Sequence, residues 1–481
     1  MSDEGLEFGT PAGRWVITAA VLGSGVAFLD GTVVNAALPA IAEDLHAGLA
    51  SLQWTLTAYL LTLGSLLVVG GSLGDLFGRR RVFVIGLAGF AVASLGCAVA
   101  QSSAILIVAR SVQGAAAAAL VPGSLALISA SFRVEDRGRA IGAWSGLAGI
   151  SSAVGPFLGG WLIDSVSWRW VFLINLPLSA IAIAVTLRHV PESRDEDSVR
   201  HLDVLGGVTL SIGLAGIVYA LIEGPAGASG TTVAIAVALG VGGLIAFVIV
   251  EARSPQPMVP LELFRSRQFS GANAVTVAVY AALGVAFFLI VVHLQTDLGY
   301  SALAAGAALL PVTAIMLVLS ARAGALAQRI GPRWPMTVGP IVVAIGLVML
   351  APLDKGSSYL TGVLPGMIVF GLGLSLTVAP LTAAVLAAVD DHHAGVGSAI
   401  NNAAARIASL LAIAVIPAAA GLSDNFTDGY RKTLLISAGL AAVGGLIGWM
   451  TIRTATPVET TTHTPTGPSC HEPCVKIDQA A

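Results

Sequence analysis

GSLGDLFGRR, from Gly71 to Arg80, recurs as GALAQRIGPR, from Gly324 to Arg333, with Gly71, Leu73, Gly78 and Arg80 matched at one constant offset by Gly324, Leu326, Gly331 and Arg333. Each copy follows an apolar run and ends among arginines, so each reads as a tight turn between two membrane helices on the side where basic residues collect. The repeat divides the chain into two similar bundles of about six helices, over 14–187 and 266–452. A linker, 188–265, carries two additional apolar runs between them. Residues 1–13 form an N-terminal tail. Residues 453–481, rich in Thr and Pro and without apolar periodicity, read as a disordered tail.

Hydrophobic residues make up 56% of the 481, charged residues only 11%, and the mean hydropathy is +0.87. Such a chain is too apolar for a water-soluble fold, and a bilayer must be its solvent. In lipid the backbone satisfies itself only as helices or a closed barrel, and these runs lack the alternation of barrel strands. The runs fall near 15–38, 52–73, 82–100, 104–130, 140–163, 170–187, 204–222, 231–250, 269–294, 303–328, 336–353, 360–388, 396–420 and 433–452. Each is long enough to cross a hydrocarbon core of about 30 Å. The expectation is an all-α integral membrane protein with fourteen transmembrane helices.

Placing the N-terminus in the cytoplasm puts eighteen of the 24 Lys and Arg residues on the inner side, and only Arg169, Lys355, Arg431 and Lys432 outside. That asymmetry favours both termini inside and an even helix count. The first run is longer than a signal-peptide core and reads as an uncleaved helix. The net charge of -3 carries little information, and nothing suggests nucleic acid. Three cysteines are too few for a disulfide framework. Cys470-His471-x-x-Cys474 lacks a fourth metal ligand, and Asn425-Phe-Thr427 fits a glycosylation sequon that matters only in a secretory host. No phosphate-binding loop of the GxxxxGK[ST] type occurs, and no cluster of catalytic groups sits at one membrane depth. The expectation is therefore a carrier without cofactor or resident metal, not an enzyme.

Ionisable groups inside the spans are costly and mark function. Asp30 lies about 12 Å from the outer end of helix 1, and Arg110 about 10 Å into helix 4, so the two stand at similar depth. Gln113 follows Arg110 one turn later on the same face, within reach of Asp30 or of a substrate. A carboxylate there should face a cavity and exchange a proton as its hydration and its arginine neighbour change. Asn401, Asn402 and Arg406 lie in helix 13, with Arg406 near the midplane, where a cation can balance a carboxylate or attract an anion. Asp75 beside Arg79 and Arg80 suits a charge pair made in one state and broken in another. Gly155 and Pro156, with Gly159 and Gly160 a turn later, allow helix 5 to bend and pack closely. His293 near the outer end of helix 9 has the chemistry to titrate near neutral pH. Trp54, Trp144 and Tyr280 are candidate aromatic surface for a lipophilic substrate.

Taken in order, LDGTVVNAALP (29–39), GSLGDLFGRRR (71–81), RSVQG (110–114), GPFLGG (155–160) and WRWVFLINLP (168–177) resemble the signature segments of the major facilitator superfamily, in its fourteen-helix drug:proton antiporter branch. The likeness covers nearly all the membrane-embedded chain. It implies two six-helix bundles with two additional central helices and a cavity near the midplane. It further implies a latch at the Gly71–Arg80 turn that holds the outward-facing state, and an exporter-type segment at Gly155–Gly160. Arg406 matches a basic position common in that branch. Two departures stand out: Gln328 replaces the acid of the second turn, and Ser151 replaces the leading glycine of the fuller helix-5 pattern. The implied function is proton-coupled export of small lipophilic molecules across the cell membrane, by a chain functional as a monomer. Uptake of a metabolite by the same fold, or a receptor without transport, are the alternatives.

Overall fold

A computed structural model of the chain describes residues 5–194, 203–254, 257, 259–389, 394–422 and 425–453. Every long element among them is a helix, and the sole extended pairing is a single bridge between Leu6 and Phe132. Thirteen helices are long and apolar enough to span a membrane. In the first half they are α1 (Pro11–Asp44), α2 (Leu49–Phe77), α3 (Arg79–Ala98), α4 (Ser103–Ser131) and α6 (Trp170–His189). Between them lies α5 (Val134–Ser165), a 32-residue helix that occupies the place of the remaining expected span. The linker supplies α7 (Val204–Glu223) and α8 (Gly230–Arg253). The second half holds α9 (Arg267–Thr296), α10 (Ala302–Ile330), α11 (Arg333–Leu350), α12 (Tyr359–Leu386), α13 (Ala394–Ala419) and α14 (Phe426–Thr451). The tail with Cys470, His471 and Cys474 lies outside the described residues.

Local chemistry sets the helix ends. Thr10, Ser102, Ser229, Ser266, Ser301 and Asn425 each accept a backbone N–H of the following first turn, which satisfies one of the donors a helix N-terminus leaves open. Asn425, half of the sequon, is thus already employed as the cap of α14.

With little hydrophobic drive between helices in lipid, close approach and buried polar bonds must hold them together. The Gly155–Gly160 segment of α5 shows how tight that approach is. A Cβ built on Gly155 would lie 2.1 Å from Thr32 Oγ1 of α1, and one on Gly159 2.5 Å from Val33 Cγ2. On Gly160 it would lie 2.3 Å from the carbonyl oxygen of Ala302, at the start of α10 in the other half. The GPFLGG segment is therefore the place where α5 is wedged between both bundles.

Among the described residues, the polar contacts that cross between the halves lie at the end that the arginine asymmetry assigns to the outside. Gln53 Nε2 donates to the Ile413 carbonyl at 2.7 Å and Gln295 Nε2 to that of Ala36 at 3.0 Å. Asp164, at the outer end of α5, accepts the backbone N–H groups of Ala302 (3.1 Å) and Leu303 (2.8 Å). At the inner side Asp75 accepts from Arg79 Nε (2.9 Å), its own neighbour one turn on, and reaches nothing in the other half. Among the described residues, the polar contacts between the halves thus gather at one end of the bundle.

The additional helices stand off this axis. α7 covers the seam of α2 and α13: Ser211 Oγ bonds Ser65 Oγ at 2.9 Å, and Leu214, Val218 and Ile222 pack against Leu61, Leu410 and Ala414. α8 packs on α7, with Ile235, Leu239, Ile245 and Val248 exposed toward lipid.

Candidate functional site

The first bundle encloses one carboxylate in a cage of donors. Asp30 Oδ1 accepts from Gln113 Nε2 at 2.9 Å and from Asn175 Nδ2 at 2.9 Å, while Oδ2 takes Arg110 Nη1. Arg110 also donates from Nε to the Thr55 carbonyl (3.1 Å) and from Nη1 to Gln113 Oε1 (2.6 Å). Its guanidinium lies 4.3 Å from the centre of the Tyr59 ring and 5.8 Å from that of Phe172, the geometry of cation–π contact. Ser94 Oγ accepts from both amides, at 2.7 Å from Gln113 and 3.3 Å from Asn175. One acid thereby ties together α1, α2, α3, α4 and α6.

Helix periodicity explains the convergence. Arg110 and Gln113 sit on one face of α4 three residues apart, and that face meets α1 at the level of Asp30. Asn175 follows the break between Leu173 and the second segment of α6, which turns its amide inward. The position of Asn175 was missed in the sequence reading, although it stands inside the quoted WRWVFLINLP; a buried asparagine beside a membrane carboxylate was the available signal.

One expectation needs correction. Asp30 was expected to face a cavity, but its exposure is 0%, that of Arg110 1%, and those of Gln113 and Asn175 0%. The reason is electrostatic and steric together: a carboxylate with three donors and an arginine sandwiched by aromatic rings needs no water in this state, and the small residues around it let the helices close. Asn175 Oδ1 is the one buried atom of the cage without a hydrogen-bond partner.

The remaining candidates separate into groups. Asn401 Nδ2 donates to Asn273 Oδ1 (3.1 Å) and Thr276 Oγ1 (2.6 Å), tying α13 to α9, whereas Asn402 Nδ2 turns back on the Ser398 carbonyl. Arg406 is half-buried with its Cβ 3.3 Å from where a Gly64 Cβ would stand, at the seam of α2 and α13. Among the described residues it has no carboxylate partner, which leaves the other alternative, attraction of an anion. Two of the aromatic candidates belong to packing, not to a substrate surface: Trp144 Nε1 donates to Ser24 Oγ at 2.8 Å in the core, and Trp54 Nε1 to Glu223 of α7 at 2.8 Å. Tyr280 is half-buried, and its carbonyl accepts from Ser409 Oγ. His293, the candidate titratable group near the outer end of helix 9, is 0% exposed, with Nε2 3.0 Å from the Leu353 carbonyl, Nδ1 3.1 Å from Asp297 Oδ2 and its ring stacked 3.7 Å over Tyr430. It clasps the outer ends of α9, α11 and α14.

At the inner turn, Gly78 has φ 104°, a left-handed conformation that favours glycine. Glu192, just past α6, accepts the backbone N–H groups of Arg80 (3.0 Å) and Arg81 (3.2 Å), and Arg80 Nη1 donates to the Val190 carbonyl. The sequence reading also missed Glu192, because nothing local to it reveals a partner more than a hundred residues away.

With this geometry in view, the likeness to known proteins is informative. Residues 20–413 match the Major Facilitator Superfamily. Multidrug resistance protein Stp of Mycobacterium tuberculosis is 36% identical over 402 residues, 83% of this chain and 74% of that one. Puromycin resistance protein pur8 of Streptomyces alboniger is 34% identical over 467 residues, 92% of each chain. Tetracenomycin C resistance and export protein of Streptomyces glaucescens is 33% identical, covering 87% and 78%. Among solved structures, a D-xylose-proton symporter superposes with a TM-score of 0.67 at 14% identity, over 92% of this chain and 98% of the other. A peptide transporter of the POT family in complex with sulfate gives 0.69 at 13% identity, over 94% and 96%. The two bundles, the crossing at GPFLGG and the matched sequence over most of the membrane domain lead to one conclusion: this chain is a multi-pass membrane transporter and belongs to the Major Facilitator Superfamily.

Proposed function

We propose that the protein exports small, lipophilic, drug-like molecules from the cytoplasm by alternating access, driven by protons entering through Asp30, and that it does so as a monomer in the cell membrane with both termini inside. The observation that carries this reading is the sealed Asp30–Arg110 pair in the first bundle, with the polar contacts between the halves gathered at one end. The resistance and export relatives support the direction of transport.

The chemistry follows from what each protonation state leaves behind. As a carboxylate, Asp30 balances Arg110 and receives three donors, so the cage is stable dry. A proton on Asp30 would leave a buried, unbalanced guanidinium, and breaking such a pair costs on the order of 3–5 kcal/mol. The bundle escapes that cost by rearranging until water or an anionic or polar group reaches Arg110. Protonation from outside and substrate from inside thereby favour opposite states, which is the requirement for exchange. Asp75 and its arginines are then free to meet the second half when the inner side closes. Arg406, a cation at the seam without a carboxylate partner among the described residues, and Asn402 beside it are assigned to the substrate path.

The test is transport in inverted vesicles. Acidifying the lumen should drive accumulation of a toxic lipophilic cation or antibiotic, a protonophore should abolish it, and Asp30→Asn should remove the response. Accumulation driven by acidifying the opposite side, or undiminished in Asp30→Asn, would refute the reading.

A further inference from the structure

At the inner end of the second half, Arg267, Arg333 and Arg453 surround a pocket of about 330 Å³ floored by the last turn of α14. Arg267 Nη2 donates to the Met450 carbonyl at 2.9 Å and Arg333 Nε to that of Trp449 at 3.0 Å. These bonds satisfy two carbonyls that a helix C-terminus leaves open. They use one N–H from each guanidinium, and an arginine has five. Among the described residues none of the three arginines has a carboxylate partner. Three positive charges against about half a negative charge from the helix end leave the pocket cationic.

The first half shows what such a corner holds when it is complete. There Arg80, the counterpart of Arg333, also donates to a carbonyl at the end of its bundle's last helix, that of Val190. The segment leaving that helix then supplies Glu192, whose carboxylate sits on Arg80 and on the backbone N–H groups of Arg80 and Arg81. In the second half the residue that follows the cap of α14 is Arg453, and Gln328 replaces Asp75. Among the described residues, both halves gather arginines at this corner and only the first half provides an acid for them.

We propose that the pocket of Arg267, Arg333 and Arg453 binds the phosphate headgroup of an anionic phospholipid of the inner leaflet. The chemistry required is a phosphodiester, which several guanidinium N–H groups can share. Its source is a lipid because the pocket opens beside apolar side chains at the membrane border. Trp449 is 48% exposed, with its ring 5.5 Å from the Arg333 guanidinium, and Met450 is 59% exposed, a flank suited to acyl chains and glycerol.

The experiment uses the purified, delipidated full chain, followed by thermal unfolding and by native mass spectrometry. It is given phosphatidylglycerol, phosphatidylcholine or inorganic phosphate. Phosphatidylglycerol should raise the midpoint and remain bound, while the other two should not. Arg453→Glu places an acid at this corner, where the first half has Glu192. Reversing one charge at about 1 kcal/mol per basic group near the surface weakens phosphatidylglycerol binding by about tenfold or more, while the lipid-free midpoint should be no lower than that of the parent. Arg453 makes no side-chain bond in the described structure, so its replacement does not test folding; Arg453→Lys should retain binding. Equal phosphatidylglycerol binding in Arg453→Glu and parent would overturn the proposal. So would an equal shift from inorganic phosphate. A tenfold gain in lipid affinity when Glu459→Gln, Glu472→Gln and Asp478→Asn are combined would also overturn it, since the chain's own tail would then be the anion.

Discussion

The two halves share a topology and divide the chemistry. In the first, a buried acid, an arginine and two amides knit five helices, and the inner turn is balanced by Asp75 and Glu192. In the second, Phe288, Leu289, Phe370 and Leu374 are buried, and Arg406 stands half-buried at the seam without a carboxylate partner among the described residues. A duplicated scaffold therefore need not duplicate its charges. On the proposed reading, a proton on Asp30 would alter the first bundle and leave the second as the surface it moves against.

The sharpest way to break this contrast is to remove the acid. Asp30→Asn leaves Arg110 buried and unbalanced, a cost of about 3 kcal/mol or more, and should lower proton-driven transport by at least about 100-fold. The same assay on Arg406→Gln should show a smaller loss, concentrated in substrate affinity. Equal losses in both would mean that the halves share the coupling.

The outer seal comes next in size. Asp164 sits on the first N–H groups of α10, across the division between halves. Asp164→Asn keeps an acceptor but removes the charge and should weaken closure by about 1 kcal/mol. Spin labels on the outer ends of α5 and α10 should then show a larger population at long distance than in the parent.

The two inner turns compare directly. Gly78 and Gly331 have φ of 104° and 83°, so either Gly→Ala change costs about 1–2 kcal/mol. Gly78→Ala should cost more, because its Cβ would also lie 2.8 Å from the Glu192 carboxylate. Thermal unfolding of the pair measures the difference. Gln328→Asp should change least, by less than about 0.5 kcal/mol, because Pro332 stands where Arg79 stands in the first turn and offers the new acid no partner. A large effect from that substitution would mean that the second turn contains a latch after all.

Much of this was legible from the chain alone, for identifiable reasons. Apolar runs of bilayer length force helices, the arginine asymmetry orients them, and the repeated glycine-arginine turn reveals two bundles. The pairing of Asp30 with Arg110 and Gln113 was readable because helical rise fixes depth, and depth is a one-dimensional quantity. Facing is not. Whether Asp30 looks into water or into a closed bundle, that Asn175 completes its cage, that Glu192 clasps Arg80 and that His293 is stacked on Tyr430 all depend on how helices distant in sequence rotate against one another. Those rotations are set by close packing at residues such as Gly155 and Gly160, whose contacts lie in other helices. Composition and spacing thus determined that this is a helical membrane protein with charges at matched height, while only the packed structure decided which of those charges are dry.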